Sequence, residues 1–224
     1  PGDARPDWWI IQEMARRFGL DWQYQHPRDV FAEMQKGMAS FDNISWERLE
    51  QEGAVTYPCD DETTPGHEII FAESFPTANG RVKLTPTDLV PPSELPDADY
   101  PMVLTTGRLL EHWHTGAMTR RASVLDTIEP EGVAHLHPRY LAKNGIKPGD
   151  YISVATRRGS VRLKARADRD VTEDMVFIPF CFAESPANML TNPQLDPYGK
   201  IPEFKFCAAK VGKLDQSGEL EAAE

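Results

Sequence analysis

The chain has 224 residues and a mass of 25.2 kDa, and 40% of its residues are hydrophobic and 26% are charged. This composition is typical of a globular protein with one or two domains. The net charge of −11 argues against a general nucleic-acid-binding protein, which needs a basic surface to neutralise phosphates. No apolar stretch approaches the ~18 residues of a membrane span, so the sequence predicts neither nucleic acid nor membrane as a partner.

The charge is unevenly distributed along the chain. Residues 1–99 contain 8 basic and 19 acidic residues, whereas residues 100–224 contain 16 of each. Residues 139–170 hold nine basic residues and three acidic ones. This segment is suited to holding a small polyanion such as a pyrophosphate, or it forms a solvated strand face.

Three cysteines lie far apart, at Cys59, Cys181 and Cys207. A sparse, odd number favours a reducing compartment over a disulfide scaffold, so we expect a cytoplasmic protein. An iron–sulfur cluster bound by this chain alone is excluded, because such a cluster needs about four clustered thiolates. We expect all three cysteines to be buried structural residues.

The first half of the chain predicts helices followed by a hairpin. Apolar spacing and capping residues predict helices near 6–19, from Pro27 onward, and from Ser45 to about Gln51. A short strand is expected at Glu68–Ala72, and Asn79-Gly80 predicts a turn that leads into a strand at 81–84. Three prolines and three acidic residues in 91–99 then predict a linker.

The second half reads mainly as β-structure. The predicted strands are 102–106, 133–136, 151–156, 161–167 and 175–180. A short helix is expected at 138–144, with His137 as its N-cap and Gly145 at its end. Residues 213–224 are polar and predict a tail.

The densest polar segment follows the first predicted strand of this half. Gly107 and Gly116 would allow close backbone approach to a ligand, and Arg108 and Thr115 could bind phosphate oxygens together with backbone N–H groups. An alternative is a zinc site built from two histidine pairs with i, i+2 spacing. Those pairs are His112 with His114 and His135 with His137.

A second polar segment, 187–207, has a loop-like composition. Asn188 and Asp196 have short polar side chains suited to reading the edge of a heterocycle, Lys205 could bind a phosphate, and Phe204 could stack on a ring. The alternative is that the segment only covers one end of a barrel.

Four motifs in one order carry a family resemblance. They are TTGR-x-x-EHWHTG-x-MTRR, HP-x-x-L-x-x-x-GIKPGD, RRGSV and AN-x-LTNP-x-x-DP-x-GKIPEFKF. Together they resemble the C-terminal part of the large subunit of molybdenum or tungsten enzymes with a bis-molybdopterin guanine dinucleotide cofactor, the DMSO reductase family. Within that family the chain is most similar to the α subunit of cytoplasmic NAD-dependent formate dehydrogenases.

The resemblance implies an α+β, mainly β fold. Residues 100–212 would form a six-stranded double-psi β-barrel that binds molybdopterin guanine dinucleotide, after a linker at 91–99 and before a tail at 213–224. Residues 1–90 would be the end of the preceding molybdopterin oxidoreductase domain. By the same resemblance Arg108 and His112 would be catalytic, because they would orient formate and help remove its hydrogen. The implied cofactor-binding residues are Thr106, Gly107, Arg108, His112, His114, Thr115, Gly116, Asn188, Asp196, Phe204 and Lys205.

The implied activity is the reversible oxidation of formate to CO2, with electrons passing through iron–sulfur clusters to NAD⁺. The metal ligand of the family, a Cys or selenocysteine followed by His, has no match here. Metal ligands and clusters are therefore expected in a missing part of the subunit, and the isolated chain is expected to be inactive. The implied partners are the rest of the α subunit, diaphorase-type NAD/FMN and iron–sulfur subunits, and formate. Two alternatives stay open: the same domain of a periplasmic-type nitrate reductase, and a non-enzymatic β-barrel binding module.

Overall fold

The computed structural model describes residues 2–214 and divides the chain into two compact units, with the division between Thr87 and Asp88. The predicted domain bounds at 1–90, 91–99 and 100–212 stay predictions. Among the described residues, no helix has both the length and the apolar character that a membrane span requires.

The first unit contains the three predicted helices: α1 Asp7–Arg17, α2 Pro27–Gly37 and α3 Trp46–Glu52. Side-chain caps explain where two of them begin. The His26 ring accepts a hydrogen bond from the N–H of Arg28, while the Asp29 carboxylate accepts one from the N–H of His26. Ser45 Oγ accepts the N–H of Arg48 at 3.1 Å.

The strands predicted at 68–72 and 81–84 are wrong, because residues 54–101 form no strand. Only the turn near Asn79-Gly80 is present, closed by a hydrogen bond of 2.9 Å from Phe75 N–H to the Gly80 carbonyl. A strand needs a neighbouring strand to pair its backbone groups, and the described part of this unit offers none. The apolar residues of the two predicted strands are exposed instead, among them Ile69 and Leu84.

The second unit is a closed barrel of six strands in the order β1-β5-β2-β4-β3-β6. The strands are β1 Met102–Gly107, β2 Val133–Leu136, β3 Tyr151–Thr156, β4 Gly159–Ala167, β5 Met175–Pro179 and β6 Cys207–Lys213. Strand β1 pairs with β5 and β2 with β4 in parallel, and the other four pairs are antiparallel. Two helices, α4 Ser123–Ile128 and α5 Pro138–Lys143, lie in the connections. The predicted barrel and its mixed α and β composition are confirmed.

Strand β6 and helix α4 were not predicted from the sequence. Because β6 ends at Lys213, the predicted tail at 213–224 is corrected at its first residue. Residues 215–224 of that tail lie outside the described residues.

Side-chain alternation builds the barrel core. In β4 the side chains of Val161, Leu163 and Ala165 are buried, and the basic side chains between them point outward. Ala167, predicted to continue the buried face, is exposed at the end of the strand. The core is filled by apolar side chains from all six strands, among them Leu104, Leu136, Ile152, Leu163, Ile178 and Ala209.

The predicted linker contains a segment that is held along the barrel. The Glu94 carboxylate pairs with the guanidinium of Arg158, and it accepts the N–H of Ala208 at 2.9 Å. The hydrogen bond from Arg158 holds the pKa of Glu94 below its usual value. Ser93 Oγ donates to Glu203 Oε2 at 2.6 Å. These contacts make 93–94 part of the barrel's outer surface.

Candidate functional site

The candidate site lies at the end of the barrel where two parallel strands finish. Gly107 of β1 pairs with Pro179 of β5, so the carboxyl ends of both strands lie side by side. Just beyond, the N–H of Phe180 donates to the Gly107 carbonyl at 3.2 Å. From this end the β1–α4 loop (residues 108–122) and the β5–β6 loop (residues 180–206) begin.

The exposed part of the β1–α4 loop presents a cation and polar donors. Arg108, His114 and Thr115 are exposed, and Arg108 Nη2 lies 3.5 Å from His114 Nδ1. His114 has a φ of 49°, which turns the backbone sharply at this point. Within residues 2–214, Arg108 has no carboxylate partner. A guanidinium free of acidic partners is suited to binding an anion with two parallel hydrogen bonds.

The two glycines of the predicted site approach protein groups. A Cβ on Gly107 would lie 2.5 Å from Cε2 of Phe177, so the ring of that residue occupies the space. A Cβ on Gly116 would lie 2.6 Å from Cγ of Arg120 and 2.9 Å from the carbonyl oxygen of Cys181. Both glycines thus make room for protein groups, and the predicted close approach of a ligand to them stays a prediction.

Three further predicted residues meet at the end of β1. Thr106 Oγ1 donates to the carbonyl oxygen of Phe204 at 2.7 Å, and Lys205 Nζ donates to the Thr106 carbonyl oxygen at 2.5 Å. The Lys205 ammonium also lies 5.3 Å from the centroid of the Phe204 ring. The side chain of Thr106 is buried and acts within the protein, whereas Lys205 is exposed.

His112 lies away from the exposed groups. It is 1% exposed, its Nε2 lies 2.7 Å from the carbonyl oxygen of Glu129, and its Nδ1 lies 3.2 Å from Thr119 Oγ1. Its ring also packs edge-on against Phe182, with 5.6 Å between the centroids. The contacts do not join His112 to Arg108, and the catalytic role of both residues stays a prediction.

Asn188 and Asp196 lie on the β5–β6 loop. The Asp196 carboxylate accepts the N–H groups of Tyr198, Gly199 and Ile201 at 2.7 to 2.9 Å. These backbone hydrogen bonds lower the pKa of Asp196, and the bond from the Ile201 N–H contributes most to this shift. Asp196 therefore shapes its own loop, while Asn188 is exposed. Within the described residues, neither contacts Arg108 or Lys205.

The thiols and imidazoles do not form a metal or nucleophile site. No group of three or more His, Cys, Asp or Glu residues within 2–214 is arranged to hold a metal ion. The zinc alternative is not formed, since His135 Nδ1 lies 2.8 Å from Asp168 and His137 caps α5. Burial raises the pKa of the Cys181 thiol to about 11, so the thiolate is scarce at neutral pH.

Comparison with known proteins assigns the barrel. Residues 102–208 match the family described as "Molydopterin dinucleotide binding domain". The barrel is therefore similar to this family over almost its whole length. The exposed donors Arg108, Thr115 and Lys205 fit the anionic groups of a molybdopterin dinucleotide, because cationic and hydroxyl donors bind phosphate oxygens.

Two curated relatives span almost the whole chain. The "F420-dependent formate dehydrogenase subunit alpha" of Methanocaldococcus jannaschii is 39% identical over 216 residues, which are 96% of this chain and 32% of that protein. The "Assimilatory nitrate reductase catalytic subunit" of Bacillus subtilis is 33% identical over 220 residues, which are 94% of this chain and 31% of that protein. The chain therefore spans about a third of the length of these relatives.

A solved structure supports the fold. The match with acetylene hydratase from Pelobacter acetylenicus covers 95% of this chain and 33% of that protein's chain, with a TM-score of 0.65 and 22% sequence identity. The predicted resemblance to molybdopterin enzymes is confirmed by these findings. The NAD-dependent type is not supported, since the formate dehydrogenase α subunits of Methanocaldococcus jannaschii and Methanococcus maripaludis are named for F420.

Proposed function

We propose that the chain is the cofactor-binding C-terminal part of the catalytic subunit of a formate dehydrogenase. The observation that carries the proposal is the exposed guanidinium of Arg108. It lies free of acidic partners within the described residues, 3.5 Å from His114, at the carboxyl ends of β1 and β5 of a molydopterin dinucleotide-binding barrel. The 39% identity with a formate dehydrogenase α subunit supports the reaction class.

The protein's own groups would bind and orient anions. When bound, a bis-molybdopterin guanine dinucleotide with molybdenum or tungsten supplies the two-electron chemistry that turns formate into CO2 and a proton. Arg108 would hold the formate carboxylate through two parallel N–H···O bonds. Lys205 and Thr115 would bind phosphate oxygens of the cofactor.

The remaining parts of the enzyme would lie outside this chain. We propose that the rest of the subunit supplies the metal ligand and iron–sulfur clusters, and that further subunits pass electrons to a soluble carrier. NAD with FMN-containing diaphorase subunits stays the sequence-based proposal for that carrier, and F420 is the alternative suggested by the names of the relatives. A cytoplasmic location is proposed from the three free cysteines.

The test is Arg108→Lys in the assembled enzyme that contains this chain. Lysine keeps the charge but loses the forked donor geometry. We expect kcat/KM for formate to fall by about 5- to 150-fold, which is the loss of one charge-assisted hydrogen bond in the transition state. Metal and pterin content should stay at the wild-type level. If the variant lost cofactor while turnover per bound metal stayed normal, Arg108 would be a phosphate ligand and not a formate ligand.

A nitrate reductase is the second candidate, supported by the 33% identity with the Bacillus subtilis enzyme. The same preparation should be assayed for reduction of nitrate with a chemical electron donor. Formate oxidation without nitrate reduction supports the proposal, and the opposite result refutes it.

A further inference from the structure

Two residues of the β1–α4 loop, the buried His112 and the partly buried Arg120, contact the same aromatic ring. His112 packs edge-on against Phe182, and the guanidinium carbon of Arg120 lies 4.8 Å from the centroid of the same ring. Both residues belong to the β1–α4 loop, and Phe182 belongs to the β5–β6 loop. The ring therefore joins the two loops that form the candidate site.

Arg120 is the more highly connected of the two. Its Nε donates to Asp126 Oδ1 at 2.8 Å, its Nη1 donates to Glu184 Oε2 at 2.8 Å, and its Nη2 donates to the Pro130 carbonyl at 3.2 Å. These acceptors lie in α4, in the β5–β6 loop and in the α4–β2 loop (residues 129–132). The side chain of Arg120 is 18% exposed, and its hydrogen bond to Asp126 is partly buried. Lysine has neither the reach nor the donor geometry to bond all three.

The hydrogen bonds of His112 fix its tautomer. The Glu129 carbonyl oxygen can only accept, so Nε2 carries the hydrogen. Thr119 Oγ1 accepts the N–H of Trp113 at 3.1 Å, and its hydroxyl hydrogen is free to donate to Nδ1 of His112. Both ring nitrogens are thus satisfied by protein groups. Nothing in this arrangement directs a ring nitrogen toward Arg108.

These contacts also determine the backbone turn that exposes the donors. Cγ of Arg120 and the carbonyl oxygen of Cys181 fill the space beside Gly116, and the Gly116 N–H donates to the Trp113 carbonyl at 2.9 Å. His114, with its positive φ, lies between these two residues. Its position opposite Arg108 therefore depends on the packing behind it.

We propose that Arg120 and His112 are positioning residues, which pack against Phe182 and hold the β1–α4 loop so that Arg108, His114 and Thr115 stay exposed for anion binding. This inference rests on the proposed function for the identity of the anion, but its structural part does not. It also replaces the proton-transfer role predicted for His112 by a positioning role.

The first experiment uses the full chain, with hydrogen exchange of peptides covering 107–121 and calorimetric titration with inorganic pyrophosphate. Arg120→Lys removes the three-way hydrogen bonding. Arg121→Lys is the matched control, since Arg121 is exposed and, within residues 2–214, its side chain donates only to the Ala117 carbonyl. In Arg120→Lys we expect exchange of the loop to accelerate and pyrophosphate affinity to fall, each by about tenfold. Arg121→Lys should change neither.

Further variants separate positioning from contact. Thr115→Val should weaken pyrophosphate binding and leave loop exchange unchanged, because Thr115 is an exposed phosphate donor of the loop. Glu184→Gln removes one partner of Arg120 at a side chain that is 67% exposed, so it tests the same prediction if Arg120→Lys fails to fold. Wild-type exchange of the loop in Glu184→Gln and in any folded Arg120→Lys would overturn the proposal. If the wild-type chain binds no pyrophosphate, the proposed function is refuted, while the exchange data still decide whether Arg120 anchors the loop.

The second experiment addresses His112 in the assembled enzyme. If His112 is a positioning residue, His112→Gln should lower kcat/KM for formate without moving the pH profile, because the substitution removes no titrating group of the reaction. A pH profile that loses one limb would overturn the positioning role and restore proton transfer.

Discussion

Replacing Gly116 by alanine tests the packing behind the site, because this substitution adds only one methyl group. Gly116 has a φ of 73°, and an L-residue in this conformation costs about 1–2 kcal/mol. The new Cβ would also lie 2.6 Å from Cγ of Arg120 and 2.9 Å from the backbone oxygen of Cys181. Neither atom is the free end of a flexible side chain, and overpacking of this kind costs about 1–3 kcal/mol. The total expected destabilisation is about 2–5 kcal/mol.

Gly145 provides a matched control for the backbone contribution. It has a φ of 62°, and nothing lies within 4 Å of the position its Cβ would take. Gly145→Ala should therefore cost only the conformational part, about 1–2 kcal/mol, less a few tenths from the stiffer unfolded chain. The assay is hydrogen exchange of the most protected strand amides in the full chain, which reports the free energy of global unfolding of the barrel. The reasoning is refuted if Gly116→Ala destabilises the barrel no more than Gly145→Ala does.

Three further outcomes are expected. The hydrogen bond from Arg158 lowers the pKa of the Glu94 carboxyl group below 4.5 in the folded chain. The Glu94 carboxylate therefore stabilises the fold above pH 4.5, and this stability is lost as the pH falls through the lower pKa of the folded state. Acid unfolding of wild type should therefore be steeper below pH 4.5 than that of Glu94→Gln, and equal curves would contradict the prediction. Iodoacetamide at about pH 8 should leave Cys181 unmodified in the folded chain and alkylate it in urea, as peptide mass spectrometry will show, because its thiol pKa is about 11. The purified 224-residue chain alone should oxidise no formate, and turnover without a partner chain would sink the proposal that the metal ligand lies elsewhere.

Most strands of the barrel could be predicted because their pattern is local. Residues 151–156 and 161–167 alternate apolar and polar side chains on either side of a tight turn, and the structure pairs them as an antiparallel hairpin. Strand β6 was missed because Cys207–Lys213 contains small residues with weak β propensity. It exists through pairing with β1 and β3, which are distant in sequence.

The same dependence on partners explains the error in the first unit. The four residues 81–84 alternate as well as any strand in the barrel, yet the structure leaves Val82 and Leu84 exposed and unpaired within the described residues. Alternation states which side of a strand would be buried. It does not state whether a neighbouring strand is there to bury it.

For the candidate site, the sequence indicated which chemical groups are present but not which neighbouring residues each group contacts. It located a cation at Arg108, which the structure leaves exposed, and it predicted close backbone approach to a ligand at Gly107 and Gly116. It could not tell that the glycines make room for Phe177 and Arg120, because no pattern encodes contacts between distant residues. The pairing of Arg120 with Glu184 joins positions 64 residues apart, so this charged residue of the motif binds protein groups in the structure.

Charge pairing decides where on the barrel an anion can bind. The basic segment 139–170 was the first candidate, yet most of its long cations are neutralised in the fold. Arg139 pairs with Glu173, Arg157 and Arg158 with Glu94, Lys164 with Glu131, and Arg166 with Glu129. An anion would have to displace a carboxylate from each of these pairs and leave it unpaired. At Arg108 no carboxylate has to leave, since its polar neighbour within the described residues is the His114 ring. Binding there gains the full charge-assisted interaction, and for that reason the site follows β1 and not the segment with the most basic residues.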